Sequence, residues 1–217
     1  MKVSSMSQEH SVPRAEVLFD RIFRIVAALV VISFVYRIGK IYLHEIGNIP
    51  VLFLLVSEVI SLSIIALARQ PKVQNFEPFH MCLAVAGSFL VPLFIQAPDN
   101  KAICPSWLSD AFVIMGASWT IYAKLSLGRS FGVLAANRAI KSAGAYRFIR
   151  HPIYFGYFCM HIGYLLSHFI ILNLLILTAL YLIQALRILH EERLLSKDAS
   201  YQAYCTVTKY RFIYGLI

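Results

Sequence analysis

Six apolar runs dominate this sequence, at about 19–42, 50–68, 79–95, 107–127, 152–168 and 171–189. Each comes near the roughly 20 residues that an α-helix needs to cross a hydrocarbon core. Backbone polar groups in a bilayer must find partners within their own segment, so such runs are expected to be helices. The expected class is therefore all-α, a polytopic helical membrane protein of about six spans. Composition agrees, since 59% of the 217 residues are hydrophobic and 14% charged, against about 45–50% and about 25% in soluble domains. Cys82, Cys104, Cys159 and Cys205 are well separated, which excludes a disulfide scaffold, and no CxxC or HExxH pairing points to a metal. The net charge of +9 resembles a nucleic-acid signature, but Lys and Arg lie between the apolar runs. Attraction to anionic membrane lipids is the better reading, with no nucleic-acid partner.

Charge also orients the chain. With both termini cytoplasmic, all but Arg37, Lys40 and Lys101 of the 20 basic residues fall on the inner side, as the positive-inside rule requires. Lys124 is counted there, on the flank of the loop after the fourth run, and Arg21 and Arg24 are expected to snorkel at the start of the first. The last two runs are nearly continuous, so a tight helical hairpin is expected near 168–173, where polar side chains can serve the turning backbone. Residues 1–16 are polar and lead to no small-residue cleavage site, so no cleavable signal is expected. A single membrane domain over 1–217 follows: four spans in 1–127 and a motif-bearing region in 128–217. Bacterial inner membrane and endoplasmic reticulum fit equally.

Polar residues gather in that second region. Residues 150–156 read Arg-His-Pro-Ile-Tyr-Phe-Gly. Pro152 suits a first helical turn, which puts Arg150 and His151 at a helix N-terminus. Such a corner either binds an anion or anchors the helix to headgroups. Tyr154, Tyr157, His161, Tyr164 and His168 recur at 3, 4, 3, 4 and share a helix face, suited to packing or to holding a cation. Gly156, Gly163 and Ser167 form a small-residue face for a neighbouring helix. Glu191 and Glu192 end the last run, against the helix dipole. They require compensation by Arg187 or a cationic ligand, unless they form a solvated helix end. Being adjacent, they point about 100° apart, so one is expected to face a pocket. Glu58 stands mid-span, where a charge is costly. Ser57 and Ser61 are expected to hydrogen-bond it, a structural role being preferred to a catalytic one. His80 and Asp110 lie near span ends, meeting water or headgroups.

In order, Leu-Gly-Arg-Ser-Phe-Gly at 127–132, Arg-His-Pro-Ile-Tyr-Phe-Gly at 150–156, Glu-Glu-Arg-Leu-Leu at 191–195 and Tyr201…Tyr204…Tyr210-Arg211-Phe212-Ile213 close the chain. This series resembles the isoprenylcysteine carboxyl methyltransferase and phospholipid methyltransferase superfamily of membrane enzymes. Two details depart from its pattern: Tyr214 stands where proline is usual, and 196–200 lacks a Phe-Gly. The resemblance implies S-adenosylmethionine as methyl donor, bound at the cytoplasmic side. His151, Pro152, Tyr154, Gly156, Glu191 and Glu192 would line the cofactor site, while Arg150 and Arg211 would address the acceptor as catalytic residues. No metal is implied.

A lipophilic acceptor drawn from the bilayer is the expected substrate. Carboxyl O-methylation of isoprenylcysteine or a similar lipophilic acid leads, because a carboxylate is already ionised at neutral pH and needs no base. N-methylation of a phosphatidylethanolamine-type headgroup is the alternative. It demands a base, His151 or a glutamate. A small thiol or phenol acceptor is a further option. A non-enzymatic scaffold or transporter would explain the charge asymmetry but not the ordered motifs.

Overall fold

The computed structural model describes residues 14–68, 73–74, 82–83, 86–87, 101–130, 136–137 and 140–215. Six helices carry them: α1 Arg14–His44, α2 Ile49–Leu67, α3 Ser106–Leu127, α4 Pro152–Ser167, α5 Ile171–Leu195 and α6 Ala199–Val207. A two-residue antiparallel pair, β1 Val73–Gln74 with β2 Ala136–Asn137, ties the segment after α2 to the segment after α3. Of the six expected spans, five coincide with α1 to α5, and most of the third, 79–95, lies outside the described residues. Among the described residues, three helices are long and apolar enough to cross a membrane: Arg21–His44, Ile49–Leu67 and Ile171–Leu195.

Local chemistry sets several boundaries. Asn48 caps α2, its side chain accepting from the Val51 N–H at 3.2 Å, and Pro50 follows in the first turn. Pro152 opens α4, where a missing N–H costs nothing. Between α4 and α5 the wholly buried Asn173 donates from Nδ2 to the His168 carbonyl at 2.9 Å. That bond serves a turn carbonyl inside an apolar hairpin, as the sequence led us to expect. The turn is braced from outside, because Phe169 donates to the Lys101 carbonyl at 3.1 Å and Ile103 to the Leu166 carbonyl at 3.0 Å.

Despite the short turn, α4 packs most extensively on α3 rather than on α5. Glycines allow it. A Cβ at Gly116 would meet the Gly156 carbonyl at 2.6 Å, one at Gly156 would meet Thr120 Oγ1 and the Gly116 carbonyl, and one at Gly163 would meet the Ser109 carbonyl at 2.7 Å. Backbones this close accept no side chain between them. The space between α4 and α5 is filled by rings instead: Phe158 stands edge-on to Tyr181 at 4.9 Å, and Phe212 from the C-terminal segment sits 5.7 Å from Phe158 and 6.1 Å from Phe155.

Two expectations change here. Lys124, counted with the flank of the loop, is wholly buried on α3. Ser57 and Ser61 do not serve Glu58. Both accept from the Lys124 ammonium, and Glu58 Oε1 pairs with the same ammonium at 3.6 Å. A lysine one turn from a helix end is within reach of headgroups, but α2 offers it a nearer set of oxygens.

Candidate active site

The site forms at the end of the α3–α4–α5 group away from the hairpin turn. Its foundation is a 3-10 turn, Gly144–Arg147, held to α3 where the Ala145 N–H donates to Ser126 Oγ at 3.2 Å. Gly144 takes φ of +65°, and a Cβ there would collide with the Ser126 side chain, so no other residue fits. From this turn the chain passes Arg150 and His151 and enters α4.

The C-terminal segment docks on that corner by its backbone. The Arg150 N–H donates to the Tyr210 carbonyl at 2.9 Å, and the His151 N–H to the Arg211 carbonyl at 2.8 Å. Upstream, Tyr204 donates its hydroxyl to the Tyr146 carbonyl at 2.6 Å, and the Thr208 hydroxyl reaches the same oxygen at 3.3 Å. Burial pushes the Tyr204 hydroxyl up to about 12, so it remains a donor at neutral pH.

Glu192 is the electrostatic centre. Arg150 lies 3.1 Å from its Oε1, His151 Nε2 lies 3.1 Å from the same oxygen, and Arg211 donates from Nε to Oε2 at 2.8 Å. The carboxylate is 10% exposed and Arg150 11%, whereas Arg211 is 46% exposed. Burial opposes the Arg150 charge, yet Glu192 and the Cys205 sulfur keep the guanidinium above its ordinary value. Arg150 also donates to Cys205 Sγ at 3.3 Å and to the Lys209 carbonyl at 3.0 Å. Compensation for the α5 C-terminus thus comes from residues far along the chain. Arg187, on α5 itself, stands over the Tyr154 ring at 5.5 Å.

Glu191 and Glu192 both reach the N-terminus of α4. Tyr154 donates its hydroxyl to Glu191 Oε2 at 3.3 Å, and its ring stacks on His151 at 5.7 Å. Long side chains on the adjacent helix span the 100° that separates the two positions. The structure therefore brings together Arg150, His151, Tyr154, Glu191, Glu192 and Arg211. Pro152 is buried at the head of α4 beside them. Gly156 lies on another side, in the α3 contact. The Tyr/His stripe also divides: His161 Nδ1 is 3.0 Å from the Tyr181 hydroxyl on α5, while the Tyr157 ring lies 5.2 Å from the Lys124 ammonium. Tyr157 does hold a cation, but the protein's own. Asp110 is exposed, and His80 is outside the described residues.

Sequence reasoning missed Cys205 and the Lys209 carbonyl as Arg150 partners. It also missed Tyr201, whose buried hydroxyl has no partner among the described residues, as has the buried Arg150 Nε. Both sit within electrostatic reach of Glu192. Among the described residues, no group of three His, Cys, Asp or Glu side chains is placed to hold a metal.

The family model of isoprenylcysteine carboxyl methyltransferase matches residues 110–197. That stretch, about two-fifths of the chain, is similar to that family. It runs from the start of α3 through both glutamates, and leaves α1, α2 and the docked C-terminal segment outside. No curated protein matches the chain. The described helices Arg21–His44, Ile49–Leu67 and Ile171–Leu195 have the length and apolar character of membrane spans.

The corner fits the family's methyl donor chemically. Two carboxylates can accept from hydroxyl or ammonium groups, the stacked His151–Tyr154 pair offers ring faces to a cation or a flat base, and Tyr201 and Arg150 hold buried donors in reserve.

Proposed function

We propose that this protein is an S-adenosylmethionine-dependent methyltransferase, and that it carries out carboxyl O-methylation of isoprenylcysteine or a similar lipophilic acid. The reading rests above all on Glu192, one buried carboxylate shared by Arg150, His151 and Arg211 inside the family-matched region. The donor supplies an electrophilic methyl group on a positively charged sulfur. His151, Tyr154, Glu191, Glu192 and Tyr201 would hold it. Arg211 uses only Nε on Glu192, which leaves its terminal nitrogens, beside Arg150, to orient an incoming carboxylate.

A carboxylate acceptor is ionised at neutral pH, so no residue need remove a proton from it. What the protein must supply is alignment and the exclusion of water, which would otherwise solvate the opposite charges. The docked C-terminal segment and the Phe155, Phe158, Tyr181 and Phe212 rings beside it serve that purpose. We place this corner on the cytoplasmic side, with the N-terminal helices shaping the route by which the lipid-tailed acceptor arrives.

The test is incubation of the purified protein with labelled donor and a prenylcysteine. A base-labile methyl ester is expected. Donor binding without ester rejects this acceptor, and an acid- and base-stable methylamine formed from phosphatidylethanolamine would move the assignment to the headgroup reaction.

A further inference from the structure

A second charged cluster lies one helical turn along α4 from Tyr154, and the proposed reaction leaves it unused. Lys124 is the largest wholly buried side chain among the described residues. Its ammonium donates to the Ser57 carbonyl at 3.1 Å, to Ser57 Oγ at 2.9 Å and to Ser61 Oγ at 2.6 Å. Glu58 Oε1 is 3.6 Å away, and the Tyr157 ring centroid 5.2 Å. All three N–H donors of the ammonium are therefore committed to α2, while α4 presents a ring face to it. Three helices converge on one charge.

Packing alone does not call for a lysine here. The backbones of α3 and α4 are already in contact at Gly116, Gly156 and Gly163, and apolar side chains of similar volume commonly replace a buried ion pair without loss of stability. What the charge adds is direction. Three hydrogen bonds fix the position of the ammonium, and a ring attracted to that point fixes the rotation of α4 about its own axis. Tyr154 precedes Tyr157 by three residues on the same face, and its hydroxyl meets Glu191 at 3.3 Å.

We propose that Lys124 is a positioning residue of the methyl-transfer site, setting the rotation of α4 through Tyr157 and so holding Tyr154 against Glu191. This rests on the reading that Glu191 faces the donor. It gives α2, which lies outside the family match, a part in the site: Ser57, Glu58 and Ser61 are the anchor from which α4 is aimed.

The test removes both charges together, Lys124→Met with Glu58→Gln, so that no lone ion is left. S-adenosylhomocysteine affinity by calorimetry and thermal unfolding are read in four chains: wild type, the charge-free variant, Tyr154→Phe and their combination. The charge-free variant should melt near wild type yet bind about tenfold more weakly, the loss expected for one hydrogen bond to a charged group. Adding Tyr154→Phe should then weaken binding no further. Unchanged affinity in the charge-free variant overturns the proposal, as does a full additional loss from Tyr154→Phe. If wild type binds no S-adenosylhomocysteine, the donor reading falls and the melting temperatures decide the positioning role. Tyr154→Phe must then cost less in the charge-free background, and equal costs overturn it. Should the charge-free chain fail to fold, Tyr157→Leu keeps the ion pair, removes the ring and faces the same outcomes.

Discussion

Glu192→Gln removes one negative charge and nothing else of size, and its cost can be worked from the geometry. Three cationic or ionisable groups lie within 3.1 Å of that carboxylate. Arg150, 11% exposed, keeps its charge and loses its nearest anion. Removing one partner of a buried pair costs about 3–5 kcal/mol. The share due to Arg211 is small, because it is 46% exposed and water screens it, so the lower end, about 3 kcal/mol, is expected. For a chain of this length each kcal/mol moves the melting temperature by about 2–4 °C, which gives a fall of about 6–12 °C. Glu191→Gln keeps an acceptor for the Tyr154 hydroxyl and only makes it neutral, so it should cost at most about 1 kcal/mol, or about 2–4 °C. Thermal unfolding of the two variants in the same detergent measures the contrast. Adding Arg150→Met to Glu192→Gln should restore part of the loss, since the stranded cation goes with it. Equal falls for Glu191→Gln and Glu192→Gln, or no recovery on adding Arg150→Met, would refute Glu192 as the charge that holds this corner together.

Two further outcomes follow from packing. Gly156→Ala puts a methyl group against Thr120 and the Gly116 carbonyl, and overpacking of this kind should cost about 1–3 kcal/mol, seen as a lower melting temperature with the α3–α4 contact loosened. Asn173→Leu strands the His168 carbonyl in the hairpin turn, a loss of about 1–3 kcal/mol measurable in the same unfolding assay.

Helices were legible because a bilayer leaves the backbone no alternative, so apolar length alone located α1 to α5. The hairpin was legible from the sum of two runs too long for a single crossing, and Asn173 serves its turn as expected. Arg150, His151 and the two glutamates stood out because charged groups at helix ends demand partners. Who those partners are was not legible. Arg150 and Arg211 were expected to address an acceptor; that both also rest on Glu192 was not legible. Lys124 was hidden for a different reason: from sequence, a lysine near a helix end looks like one reaching for headgroups, and only the placement of Ser57 and Ser61 on α2 shows that it turns inward. The docking of Tyr210 and Arg211 on Arg150 and His151 left no trace at all, because main-chain hydrogen bonds do not depend on side-chain identity.

That main-chain ladder also separates the integrity of the helices from that of the corner. A chain cleaved before residue 208 would keep every residue of α1 to α5, yet the Arg150 and His151 amides would lose the Tyr210 and Arg211 carbonyls and Glu192 would lose the Arg211 guanidinium. Damage confined to one short strand would thus uncover the charged centre while leaving the helical frame whole.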